Sequence, residues 1–300
     1  MEIVLRNADQ VLPAADNPCD AAGYMVAVLR IFLILHHDFP EFLIENHARL
    51  CAAAPAKCVQ IRNLINHVAP HGLTVPDPFA ANLQLDRMDE MRQTPQLRID
   101  LAAILEGAGL KASLDTALKA KSRAFTDFIT KMEQFENNAS VVQAVALYIG
   151  NEAISAAGSK NQIFNKSGPH FTLLQTIVND NTQATTNFAN AMVNQLRYPN
   201  AHTYWFCQAL LELFGNSADT TEPKQMEIRE AIATVLLERL MPMRPHPWGL
   251  VVTFLELIKN PEHDFQNLPF VREHEEIWTR PQGLQPLSAP GLPLPGMSGF

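Results

Sequence analysis

The chain has 300 residues, of which 47% are hydrophobic and 18% charged, a composition that excludes global disorder, a collagen-like repeat and a small disulfide-held fold. Lys and Arg total 23 against 31 Asp and Glu, and the resulting charge of −8 has the wrong sign for a protein that grips phosphates over a broad surface. With 13 Gly against 21 Pro, the chain is also short of the residue that phosphate-cradling loops and tight hairpins need.

Residues 1–20 read as an N-terminal segment with no clear element. From there nearly every apolar run repeats at three and four residues, and none alternates as a half-buried strand does. The periodicity predicts helices at 21–37, 40–53, 56–69, 83–92, 97–107, 111–119, 122–135, 139–157, 170–179, 182–197, 201–214, 224–240, 247–259 and 267–279. Short joints between them predict an all-α, HEAT-like solenoid of helical hairpins with inner and outer layers. The segment after Pro247 is apolar on more than one face and reads as an inner helix, while 224–240 reads as a half-buried outer one.

Prolines mark the corners. Pro40 fits the first turn of a helix, where its missing N–H costs nothing. Tyr198-Pro199-Asn200 ends one helix and offers Asn200 as the N-cap of the next, and Asn260 is a left-handed cap candidate before Pro261. Residues 70–82 lack helical period and form a loop that packs or binds through Val75 and Phe79. A polar break at 158–168 is a possible divide between two subdomains of a helical domain spanning 21–280. Residues 281–300, with five Pro, four Gly and no charge, predict a disordered or extended tail.

Cys19, Cys51, Cys58 and Cys207 are too few to staple a chain of this size, so a reducing, intracellular compartment is expected. The N-terminus lacks the basic and apolar regions of a secretory signal, and the apolar run 24–35 is broken by Arg30 and too short to span a bilayer. No membrane association is expected.

The search for chemistry finds no catalytic, cofactor or metal constellation. Gly107-Ala-Gly109 imitates a dinucleotide fingerprint but follows a helical run rather than a strand, and so reads as a turn between helices. Cys51, Cys58, His67 and His71 match no usual zinc spacing. Glu273, Glu275 and Glu276 read as a solvated helix face. Two dense segments remain: Asn194 to Thr203 followed by Tyr204-Trp205-Phe206, and Arg244 to Gly249. Arg, Tyr and Trp at solenoid corners suit the anchoring of an extended partner peptide. The same residues also fit helix ends and gaps between layers. A second possibility is RNA binding, with bases stacked on Tyr204 and Trp205 beside Arg197, and the net charge opposes it.

Both segments, with Val235 to Leu240 and Phe254 to Pro261, and upstream Leu35 to Leu43, Cys58 to Leu64 and Pro76 to Phe79, resemble in order the C-terminal Not domain of the large scaffold subunit of the Ccr-Not deadenylase complex. Residues 100–135, 155–170 and the tail depart from that pattern. The resemblance implies a non-catalytic helical docking domain in mRNA deadenylation, mRNA decay and translational repression, located in the cytoplasm and also the nucleus. It implies partners in the extended N-terminal regions of the Not-two and Not-three (or Not-five) subunits, with the Not-four ubiquitin ligase or short repressor motifs in some lineages. Asn194, Arg197, Tyr198, Asn200, His202, Tyr204, Arg244, His246 and Trp248 are the candidate partner-binding residues. No cofactor and no strong direct nucleic-acid binding are expected.

Overall fold

The computed structural model of the chain describes residues 1–14, 18–55, 57–80, 82–119, 123–158, 163–180, 182–215 and 223–273. Among them there is no β-strand, and the fold is an all-α, solenoid-like stack. Predicted features at 274–300, including Glu275, Glu276 and the tail, lie outside the described residues.

The first unit comprises α1 (Glu2–Ala14), α2 (Pro18–Asp38), α3 (Pro40–Ala53) and α4 (Val59–His67). Helix α1 falls where no element was expected. It forms because Leu5 and Ala8 sit three apart on one face and bury completely within the unit. Pro40 opens α3 as its first residue, and Leu43, His47, Leu50 and Cys51 then bury one stripe. On α4 the matching stripe is Ile61, Leu64 and Ile65. The outer face of α2 leaves Val26, Leu33 and Ile34 exposed.

Residues 83–92 do not form the expected α-helix. They make two 3₁₀ turns, Leu85–Arg87 and Asp89–Arg92. Leu85, Met88 and Met91 recur every third residue, which lines them up along a three-residue turn, and they pack on Trp248 and Val252. Val75 and Phe79 in the preceding loop are exposed, and the loop is held instead by the Trp248 indole N–H, which donates to the Pro76 carbonyl at 2.8 Å.

Next come α5 (Leu101–Gly107), α6 (Lys111–Lys119), α7 (Arg123–Met132) and α8 (Ala139–Ala157). Asp100 caps α5 by accepting from the Ala103 N–H at 2.9 Å, and Asn138 caps α8 in the same way. The nucleotide-like glycines close α5. Gly109 has φ +68°, Gly109 N–H donates to Glu106 and Leu110 N–H to Leu105, the paired bonds of a left-handed helix stop.

The remaining helices are α9 (Pro169–Asp180), α10 (Thr182–Val193), α11 (Ala201–Gly215), α12 (Pro223–Leu240), α13 (Trp248–Lys259) and the short α14 (Pro269–Glu273). Helix α10 packs on α8, α9 and α12, while α11 packs on α8, α12 and α13. Helix α12 is half-buried as expected, with Glu227, Glu230 and Glu238 exposed, but it is packed on more sides than an outer helix. Besides its apolar stripe it buries Arg229 and Arg239, because α4, α9, α10, α11 and α13 all pack on it. Asn260 is extended rather than left-handed and caps the next turn through its side chain, and Asp264, with φ +44°, takes the left-handed position.

Three apolar clusters result: one within α1 to α4 that also takes Tyr198, a larger one from Leu101 to Val271 that also takes Ala48, and a small one of Met91, Trp248 and Val252. Ile154 before the break at 158–168 and Phe171 after it belong to the larger cluster.

Candidate functional site

Between α10 and α11 the chain turns through residues 194–200, and this corner is buried rather than exposed. Its polar side chains are occupied by the turn itself. Asn200 Oδ1 accepts from the Thr203 N–H at 3.0 Å, and its amide donates to the Tyr198 carbonyl at 2.6 Å. The Thr203 hydroxyl accepts from the Arg197 N–H at 3.1 Å and lies within bonding distance of the Gln195 and Tyr198 carbonyls. These bonds end α10 at Val193, earlier than its periodicity suggests, because backbone groups that would extend the helix are satisfied locally.

The corner reaches into the first unit. Arg197 is 1% exposed, donates from Nη1 to the Ile44 carbonyl at 3.2 Å and lies 5.2 Å from the Tyr198 ring centre. No carboxylate pairs with it among the described residues, and Nε and Nη2 have no hydrogen-bond partner. His47 Nε2 donates to Gln195 Oε1 at 2.9 Å. Burial, and then the Arg197 charge, push the His47 pKa well below the ordinary value and that of His202 down to about 3, so both rings are neutral. Tyr198 completes the apolar cluster of α1 to α4.

From the other side, Gly249 of α13 presses its N–H onto the Arg197 carbonyl at 2.6 Å. Only glycine permits this approach, since a Cβ there would stand 2.5 Å from Thr203 Cγ2 and 2.8 Å from the Arg197 carbonyl oxygen.

A second polar network leads from the corner to the surface. Arg239 of α12 donates to Asn194 Oδ1 at 2.9 Å, Asn194 to Gln143 Oε1 at 2.9 Å, and Gln143 to the Ala48 carbonyl at 2.7 Å. Asn63 of α4 donates to the Arg239 carbonyl at 2.6 Å. Four helices, α3, α4, α8 and α12, are thus joined to the corner by side chains. The network borders a cleft of about 370 Å³ walled by Asn187, Asn190, Arg62 and Glu238 over a floor that includes Ala52 and Ala191. A neighbouring cleft of about 400 Å³ carries Arg6, Arg49 and Arg98 with Glu2 and Asp100, and the two share Ala52 and Gln143.

The expected anchors therefore divide. Asn194, Arg197, Tyr198, Asn200, His202 and Trp248 are buried and bonded or packed within the chain, so they are not surface anchors as folded. Arg244 is exposed and His246 half-buried, its Nε2 donating to the Pro242 carbonyl at 2.8 Å. Tyr204 is partly buried against Met91 and Trp248. Trp205 and Phe206 are buried against each other, with ring centres 4.9 Å apart, so no base can stack on them. Cys51 donates to Asn66 Oδ1 at 3.5 Å, and His67 stacks on His36 at 5.6 Å. Among the described residues no three His, Cys, Asp or Glu side chains gather as a metal site would require. The cleft residues went unnoticed in the sequence, although Asn187, Asn190 and Asn194 at helical spacing form a polar stripe in an otherwise apolar pattern.

Stacked helices with a buried polar corner and open clefts define an all-α, solenoid-like domain. A family model described as the CCR4-Not complex component Not1 matches residues 1–284, and the chain belongs to that family. It is 38% identical over 264 residues to the Caenorhabditis elegans CCR4-NOT transcription complex subunit let-711, covering 83% of this chain and 10% of that protein. The NOT1 superfamily homology domain from Chaetomium thermophilum has the same fold, with a TM-score of 0.84 and 32% identity over 92% of this chain and 57% of that one. A Not1 C-terminal domain in complex with Not4 aligns with a TM-score of 0.78 and 28% identity over 86% of this chain and 55% of that one. The chain spans about a tenth of the length of the curated relatives it matches.

Proposed function

We propose that this chain is a non-catalytic docking domain of the CCR4-Not scaffold, anchoring the Not-two and Not-three (or Not-five) subunits through their extended N-terminal regions. Through them it serves mRNA deadenylation, mRNA decay and translational repression, in the cytoplasm and the nucleus. The observation that carries this reading is the fold agreement with the NOT1 superfamily homology domain over 92% of the chain. Support for a further partner, the Not-four ligase, comes from the similar Not1 C-terminal domain held in complex with Not4. Short repressor motifs are a further partner class.

The chemistry is consistent with a docking role. Histidines at the corner are neutral and fully buried, and the clefts are lined by amides and ion-paired guanidinium groups. A calorimetric titration of the folded chain with the N-terminal regions of Not-two and Not-three tests the reading. Saturable binding is expected, and a folded sample that binds neither region refutes it.

A further inference from the structure

We propose that the two clefts meeting at Ala52 and Gln143 form one track that holds an extended acidic peptide segment. The peptide main chain lies along the amide-lined part, and its carboxylates are taken by Arg49 and Arg98. This deepens the docking function proposed above and rests on it.

The amide-lined part has a small-residue floor and walls of Asn187 and Asn190, one turn apart on α10. Such a cleft gains little from apolar burial. What it matches is a chain of alternating N–H and C=O groups, because each carboxamide both donates and accepts. The interior network uses only part of that capacity. Asn187 donates to the Glu136 carbonyl at 2.7 Å, and its Oδ1 has no protein partner among the described residues.

The other part is an arginine cluster on a chain of net charge −8. Arg49 Nε lies 2.8 Å from Glu2, and Arg6 shares that same carboxylate at 3.8 Å. Arg98 Nε lies 2.6 Å from Glu45. In both pairs the guanidinium atom nearest the carboxylate is Nε, whereas a carboxylate gripped from two nitrogens takes the Nη1 and Nη2 edge. Arg49 and Arg98 side chains are 50% and 74% exposed, within reach of a partner. An acidic segment repelled by most of the surface is accepted here, which favours placement and register over bulk affinity. Glu2 and Asp100 in the same cleft oppose a polyanion charged at every unit, so the track suits spaced carboxylates better than nucleic acid.

The test is a display library of random 16-residue peptides selected on the folded chain, with enriched peptides measured by fluorescence anisotropy. Expected are peptides rich in Asp and Glu that bind at least ten-fold more weakly to an Arg49→Gln/Arg98→Gln variant and several-fold more weakly to Asn187→Ala. Lys224→Gln on α12 leaves binding unchanged. Should the double Gln variant melt early, Arg49→Lys/Arg98→Lys keeps the charge and removes the fork, and a weakening of several-fold is read the same way. Acidic peptides that ignore both double variants overturn the site, as does tighter arginine-dependent binding of an eight-nucleotide oligoadenylate. If no peptide is enriched while the Not-two or Not-three region still binds, the track is wrong and the docking function stands. If acidic peptides bind in an arginine-dependent way and neither subunit region does, the track stands and the subunit assignment falls.

Discussion

Gly249→Ala adds one methyl group where, among the described glycines, an added Cβ would meet its neighbours most closely, and should destabilise the chain well beyond the usual cost of so small a change. The new Cβ would lie 2.5 Å from Thr203 Cγ2 and 2.8 Å from both the Arg197 carbonyl oxygen and the Leu196 carbonyl carbon. Carbon atoms rest at about 3.5–4.0 Å, so something must move by roughly 1 Å. Thr203 cannot turn aside without breaking its hydroxyl contacts to Arg197, Gln195 and Tyr198. Helix α13 must therefore lift, and the 2.6 Å bond from Gly249 N–H to Arg197 is lost. Overpacking costs about 1–3 kcal/mol and an orphaned buried backbone pair about 1–3 kcal/mol more. The better helix propensity of alanine returns roughly 1 kcal/mol. The net loss is about 3 kcal/mol, or about 5 °C in melting temperature for a chain of 300 residues. Urea unfolding followed by circular dichroism measures it. Adding Thr203→Ser, which deletes Cγ2 and keeps the hydroxyl, should recover part of the loss. A Gly249→Ala protein whose unfolding free energy matches the parent within about 0.5 kcal/mol refutes the argument.

His36, His47, His170, His202 and His246 all have lowered pKa values, with burial the largest cause in each. The native chain holds these rings neutral while the unfolded chain protonates them near their ordinary value of about 6.5, so stability is complete above that pH and falls as acid is added. Urea midpoints should drop between pH 7 and 5. His202→Leu should flatten that slope with little loss at pH 7.5, because neither His202 nitrogen has a partner to lose; an unchanged slope would refute the His202 contribution. Arg239→Ala should cost about 2–4 kcal/mol in the same assay, since it strips the donors from the buried Asn194 and the half-buried Asn190. Trp248→Phe removes the bond to Pro76 and about 1 kcal/mol, and limited proteolysis should then cut residues 70–80 faster while the core stays intact.

Helical periodicity located α8 at its true ends, because Asn138 and Gly158 are explicit caps and the helix is apolar on every side. It fails at 83–92, where Leu85, Met88 and Met91 repeat every three residues rather than every 3.6. It also overlooked α1, where Leu5 and Ala8 are a slight apolar signal. At the corner, the dense polar run Asn194 to Thr203 was correctly singled out as unusual. Its residues look the same in sequence whether they face a partner or the chain itself, and only long-range contacts such as Arg197 to Ile44 and Gly249 to Arg197 decide. The track was invisible for the same reason, since Arg49, Arg98 and Asn187 meet only through packing of α3, α5, α8 and α10.

The buried corner also sets an order of events during synthesis. Helices α1 to α4 are made before the corner, yet their apolar cluster lacks Tyr198, and Arg197 and Gln195 must still bond Ile44 and His47 across 153 and 148 residues. At about 5–20 residues per second a nascent N-terminal unit waits many seconds with that surface open. It cannot mature by local contacts alone, and closing so long a loop is slow compared with pairing neighbouring helices. A ribosome-bound fragment ending before residue 198 is therefore the form of this chain most exposed to chaperones and to misassembly.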